Sequence, residues 1–322
     1  MTTTAPPRRQ KDSARVPEPE EAFDDDELIE DETPPEPTPP SSGAIVIAST
    51  ALTLLAAVLL GFVAQLVVIS DLEHFRAQRT SYAQLRSQLA LGTAPVSAVD
   101  TNGKPVALGS PVALLEIPSL GVREVVFQGT TSGVLMDGPG HRRDTVLPGQ
   151  TGVSIVMGRS SAYGAPFGKI ANLLPGDRIT VTTGQGVQRF GVLDVRRAGD
   201  AIPPAPASNS SRLVLMTATG AAYVPGGVLR VDAKLLSAVQ PAGLVGLTAA
   251  QLPSDEKPLS GESGAWLPIV LWAQGLLIAA VGFVWARSRW GHWQAWLAGL
   301  PVLGALGLGC ADAIIRLLPN LL

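Results

Sequence analysis

The sequence predicts a mainly β domain of seven to eight strands, a closed barrel or sandwich, joined to three transmembrane α-helices. Two observations carry this. Short alternating apolar runs recur between residues 100 and 237, broken by Gly and Pro. Three stretches with almost no charge, 44–69, 265–286 and 295–315, are long enough to cross the hydrocarbon core of a bilayer.

Residues 1–42 form an acidic, Pro-rich tail with twelve of the 27 acids and four of the 24 bases, leaving 20 bases against 15 acids elsewhere. Such a segment buries too little apolar surface to offset its chain entropy, so it is expected to be disordered. It reads as a solvated spacer, or as a cytoplasmic docking tail built on Leu28 and Ile29. The mild basic excess of the remainder is too small to argue for a nucleic-acid partner. A single cysteine, Cys310, excludes an internal disulfide.

Segment 43–70 reads as a first transmembrane helix. The apolar run AIVIASTALTLLAAVLLGFVAQLVVI starts far into the chain, which suits an uncleaved signal anchor better than a cleaved signal peptide. It continues into a juxtamembrane helix and linker, 71–99, that opens DLEHFRAQRTSYAQLRSQLA. Within the β domain, 100–237, the strand candidates are VALLEIP, VREVVFQ, GVSIVMG, DRITVTT, VQRFGVLDVRR, RLVLMTA and GVLRVDAKL. YGAPFGKIANLLPGD reads as a short helical turn, and Gly184-Gln185-Gly186 as a hairpin turn, not a phosphate cradle. Residues 238–264, ending SDEKPLSGESG, read as a linker back to the membrane.

Two further transmembrane helices follow, 265–286 and 295–319, separated by a loop at 287–294. Four of the six tryptophans bracket that loop, which carries Arg287 and Arg289. Indole rings favour the headgroup level and short Arg-bearing loops stay cytoplasmic, so the loop and the N-terminal tail are expected inside and residues 71–264 outside. Asp312 and Arg316 share a helix face near the outer end, where they can pair. Gly304, Gly307 and Gly309 suit close packing against another helix, with Cys310 as a small apolar residue in that contact.

The order LLEIPSLGV, FQGTT, GPGHRRDTVLPGQTG, SIVMGR, YGAPFGKIANLLPGDRITVTT and LVLMTA resembles the sortases, and most of all the actinobacterial class E type, over most of 112–236. The resemblance implies a sortase-like closed β-barrel as an extracytoplasmic domain on a membrane anchor. It also implies a family chemistry of cutting a sorting signal between Thr and Gly and joining the protein to the cell wall or a pilin. That chemistry needs a thiolate nucleophile, a histidine to protonate the leaving amine and an arginine to steady signal and oxyanion.

This chain departs at each family position. The His position of AGHR falls on Arg159, the Cys position of LVTC on Ala218, and the Arg position on Val228. The resemblance therefore implies a catalytically inactive pseudo-sortase. Such a protein binds a sorting-signal-like peptide, or scaffolds a cell-envelope assembly. Two alternatives stand beside it: a transpeptidase or hydrolase with a relocated Ser/Thr nucleophile, and a structural membrane protein whose barrel binds nothing. Arg159, Ser160, Thr217, Ala218, Thr219 and Arg230 are the candidate groove residues; Arg230 shares a strand face with Val228, two residues away. Arg159 and Arg230 read equally well as carbonyl or carboxylate binders and as ordinary surface arginines. Hydroxyls at Thr217, Thr219, Ser160 and Ser161 lack a base placed by the motif. His141, in GPGHRRDT, reads as structural. No cofactor or metal is expected, the membrane is an expected partner beside a sorting-signal-like peptide or cell-envelope protein, and oligomeric state is not read from the sequence.

Overall fold

The computed structural model of the protein describes residues 43–100, 103–290 and 292–322, so the acidic tail falls outside the described residues. The β domain contains strands β1 (Pro111–Ile117), β2 (Val122–Gln128), β3 (Gly140–His141), β4 (Gly152–Met157), β5 (Arg178–Thr183), β6 (Gly186–Arg196), β7 (Ser211–Ala221) and β8 (Val224–Leu235). They close into one barrel in the order β1-β2-β3-β4-β7-β8-β6-β5. β2/β3 and β4/β7 pair in parallel and the other neighbours antiparallel. β3 covers only the end of β2, and the Gln78 side chain meets the open main chain of β2 at Val125.

The alternation seen in the sequence sorts residues between two faces. Ile179 and Val181 of β5, Leu213 and Leu215 of β7, and Leu229, Val231 and Ala233 of β8 fill the interior with Leu115, Ile117 and Phe190. The opposite face of β7 carries Val214, Met216 and Ala218, and it is buried as well, against Leu135, Met157, Leu321 and Leu322. The β5–β6 hairpin turns through Gly184-Gln185, with Gly186 at φ 106° in the region open to glycine.

Two elements were not read from the sequence. Helix α3 (Ser132–Asp137) is capped by Thr131, whose side chain accepts from the Val134 amide. β3 has only two residues, too few for an alternating signal. It fits because Gly140 has no Cβ; a methyl there would collide with the Gly129 carbonyl and Leu135.

Helix α1 (Gly43–Ala64) passes through a π-helical stretch, Gln65–Ile69, into α2 (Ser70–Leu91). The chain ends with α4 (Trp266–Trp290) and α5 (His292–Leu317). Among the described residues, three helices are long and apolar enough to cross a membrane. The described part of the stretch expected as a loop at 287–294 is helical, because RSRW and HWQ hold no helix breaker. Phe283 meets Trp296 edge to face at 5.1 Å. Of the three glycines expected at the contact between helices, Gly309 lies on Trp272, whereas Gly304 and Gly307 face open space; Gly299 makes a further contact, on Phe283. Asp312 and Arg316 pair at 3.2 Å across one helical turn.

Segment 238–264, expected as a flexible linker, is strapped to the barrel. Gln240 exchanges main-chain bonds with Gly149 and Thr151. Glu256, fully buried, takes the Arg143 guanidinium, and Thr130 donates to the Glu256 carbonyl at 2.7 Å. An ion pair removed from water holds only where its remaining polar atoms are met, as they are here.

Gly140→Ala is expected to destabilise the barrel by about 2–4 kcal/mol, because the clash is with backbone and cannot relax by a rotamer change. Thermal unfolding followed by circular dichroism in detergent reads this as a drop in midpoint against the parent chain.

Candidate functional site

The site forms where β4 ends beside its parallel neighbour β7, which runs on to Ala221. Met157 registers with Met216, and the Gly158 amide bonds the Met216 carbonyl; there Arg159 leaves the sheet, while β7 runs on through Thr217, which pairs with Leu229 of β8. On the other flank, β7 pairs with β8 and sets Ala218 opposite Val228 and Met216 opposite Arg230. Arg159, Ala218 and Val228, the positions expected from the resemblance, thus lie around one end of the β4–β7–β8 sheet.

A cavity of about 420 Å³ opens here. It is lined by Ser160, Ser161, Thr217, Ala218 and Thr219, with Arg197 as its only charged wall. Neither Arg159 nor Arg230 lines it. No thiol, imidazole or carboxylate is among its lining residues, so its hydroxyls face no general base. The volume suits a short peptide or small polar ligand.

Arg159 is instead buried at 2% exposure. One Nη donates to the Leu322 oxygen at 2.9 Å, and the other donates to Ser132, to its carbonyl at 3.0 Å and its hydroxyl at 2.9 Å. Its guanidinium carbon lies 5.1 Å from the Tyr163 ring centre. Burial lowers its pKa to about 10, opposed by Tyr163 and Glu262, so it keeps its charge at neutral pH. Arg230 lies on the barrel's outer face beside Arg196, which is bound to Asp232 at 2.6 Å. Burial and the Arg196 charge lower the Arg230 pKa, against the pull of Asp232.

The hydroxyls weighed as nucleophiles are partly committed. Thr217 Oγ1 donates to the Gly158 carbonyl at 2.9 Å, and Ser160 Oγ to the Leu321 carbonyl at 3.1 Å. His141 sits on β3 with no exposure; its Nε2 lies 2.9 Å from the Val146 carbonyl and its Nδ1 3.1 Å from the Gln128 amide. A neutral ring satisfies both contacts when Gln128 turns its NH2 toward Nδ1. Burial lowers the His141 pKa to about 4, against the Val146 bond and Asp144. The rest of the GPGHRRDT segment is also spent on structure: Arg142 binds Asp144, and Arg143 binds Glu256. Cys310 lies in α5, one of the helices apolar enough to span a membrane.

Three participants were not read from the sequence: Ser132, Arg197 and the segment Pro319–Leu322. The last left a signal. Pro319 ends α5, yet two leucines follow it, an apolar pair where a solvent-facing end needs none.

The family model of the sortase domain matches residues 115–227. That match and the closed eight-stranded barrel define the class: this chain carries a sortase-family domain. Among solved structures it is similar to a sortase D5 transpeptidase from Clostridium perfringens (19% identity, 50% of this chain and 99% of that one, TM-score 0.41). It is also similar to sortase E1 from Streptomyces coelicolor, solved with a tripeptide in its active site (22%, 41% and 91%, 0.36). A third is sortase E from Streptomyces avermitilis (27%, 47% and 100%, 0.35). No curated protein matches the chain.

The pKa of His141 fixes a pH dependence. An unfolded histidine near 6.5 binds a proton that the folded one refuses until about 4. The stabilisation is therefore complete above pH 6.5 and is lost as pH falls through that window, at most about 3 kcal/mol. His141→Gln is expected to flatten the fall in unfolding midpoint between pH 6.5 and 4.5, measured in parallel melts of parent and variant.

Proposed function

We propose that this protein is a membrane-anchored, sortase-fold binding protein that holds a peptide without cutting it. The reading places the barrel outside the cell, with the N-terminal tail and the α4–α5 turn in the cytoplasm. The observation that carries it is a cavity walled by Ala218, the residue that the resemblance sets at the nucleophile position, and by hydroxyls with no general base among its lining residues. A peptide there finds donors at Ser161 and Thr219 and a cation at Arg197 for a carbonyl or carboxylate. Attack on a peptide carbonyl, by contrast, needs a nucleophile and a base within hydrogen-bond reach of each other. The two histidines with described side chains serve elsewhere: His141 is buried in β3, and His74 pairs with Glu124 at 3.2 Å on β2.

The test is a titration of the intact, detergent-solubilised chain with sorting-signal peptides, with methyl-labelled alanine as the NMR reporter. Shifts at Ala171, Ala218 and Ala222, all on the cavity wall, with peptides intact by mass spectrometry, are the expected result. Cleaved peptide overturns the non-cutting reading, and unmoved methyls overturn the binding one.

Restoring sulfur is expected to fall short of restoring activity. Ala218→Cys gains a nucleophile but no imidazole near it, so peptide turnover stays at background in a fluorogenic assay. Turnover would show that another group on the cavity wall acts as the base.

A further inference from the structure

The outer face of β7 beside Ala218 already has an occupant. We propose that this face is a binding site for a short, turn-forming apolar peptide that offers main-chain oxygens, and that Pro319–Leu322, closed by a bond from the Leu322 amide to the Pro319 carbonyl, is its built-in, displaceable ligand. The self-occupancy stands independently of the proposed function; its use by a second peptide rests on that reading.

The segment is held as a ligand is held. The side chains of Leu321 and Leu322 are 0% and 4% exposed, packed with Met157, Met216 and Ala218. The Leu321 carbonyl accepts from the Ser160 amide at 2.9 Å and from the Ser160 hydroxyl. The Leu322 oxygen takes the Arg159 guanidinium. Asn320 anchors the entry, donating from its side chain to the carbonyls of Thr130 at 2.8 Å and Lys257 at 3.0 Å.

The arginine decides between a ligand site and chance packing. Its charge is withdrawn from water and Nε has no partner among the described residues. Only Ser132 and Leu322 supply oxygens to its other nitrogens. A buried cation robbed of an acceptor is costly, so a site emptied of Pro319–Leu322 demands another oxygen in the same place. The matching ligand has apolar side chains for the Met157–Met216–Ala218 surface and carbonyl or carboxylate oxygens for Ser160 and Arg159. Because Pro319 lies two residues past the end of α5, leaving the site means loosening the end of that helix, whose Arg316 carbonyl is also tied to the Glu262 amide.

Two measurements test this. In the full chain with Cys310→Ala, the pair Ala218→Cys and Leu322→Cys is treated in membranes with a short bis-maleimide. An intramolecular cross-link is expected, and none for the control pair Ala218→Cys with Leu244→Cys. Absence of the first link overturns self-occupancy, whatever the cavity titration shows. Next, the chain ending at Leu318 is titrated with a fluorescent Pro-Asn-Leu-Leu peptide by anisotropy. Saturable binding is expected, at least tenfold tighter than to the intact chain and at least tenfold weakened by Arg159→Met. The length-preserving Leu321→Ser/Leu322→Ser chain repeats the titration should the truncated chain unfold. A cross-link without peptide binding to either variant overturns the ligand-site half and leaves Pro319–Leu322 a fixed brace.

Discussion

The arrangement around the site depends on one buried guanidinium. Arg159 emerges from the end of β4 with its charge intact and almost no contact with water. A cation in that position is tolerated only where oxygens surround it. Ser132, at the start of α3, supplies two of them, and Leu322, from the far end of the sequence, a third. The loop after β2, the end of β4 and the segment beyond the last helix are thereby tied to one charge.

The loop that follows Arg159 shows how closely the barrel and the apolar helices are joined. Ala162, Tyr163 and Ala165 have φ of 53°, 46° and 42°, a backbone region that costs residues with a Cβ on the order of 1 kcal/mol each. Contacts hold them there. The buried Tyr163 ring packs on Phe62, Leu66 and Ile315, from α1, the π-helical stretch and α5. The Gly164 amide donates to Asp71 of α2 at 2.9 Å, and the His74 ring lies where a Gly164 Cβ would be. The apolar helices α1 and α5 and the polar helix α2 therefore act on the loop that carries the candidate groove residues.

Much of this was legible from residue patterns. Period-two alternation marked seven of the eight strands, and charge-free length marked the three spans. The order of the strand motifs carried the resemblance that the family match bears out. What escaped shares a physical cause, burial by residues remote in sequence. LVLMTA reads as a strand with one wet face, yet both faces of β7 are dry, because Leu321 and Leu322 cover the second. Arg159 reads as a surface or pocket cation because a sequence shows charge and not the oxygens that meet it. Segment 238–264 has the composition of a linker, and only the Arg143–Glu256 pair and the bonds of Gln240 reveal a strap. β3 was too short for any period to show.

The central claim is that the site beside Ala218 is filled by the chain itself, and the Ser160 amide reports on it directly. That N–H has the Leu321 carbonyl as its acceptor, so its exchange with solvent follows occupancy of the site. Hydrogen exchange of the full chain in lipid nanodiscs is predicted to show this amide protected, and exchange at least tenfold faster once residues 319–322 are removed while the β7 amides stay protected. Equal, fast exchange in both chains would contradict the claim, since the face would then be open to solvent in the intact protein.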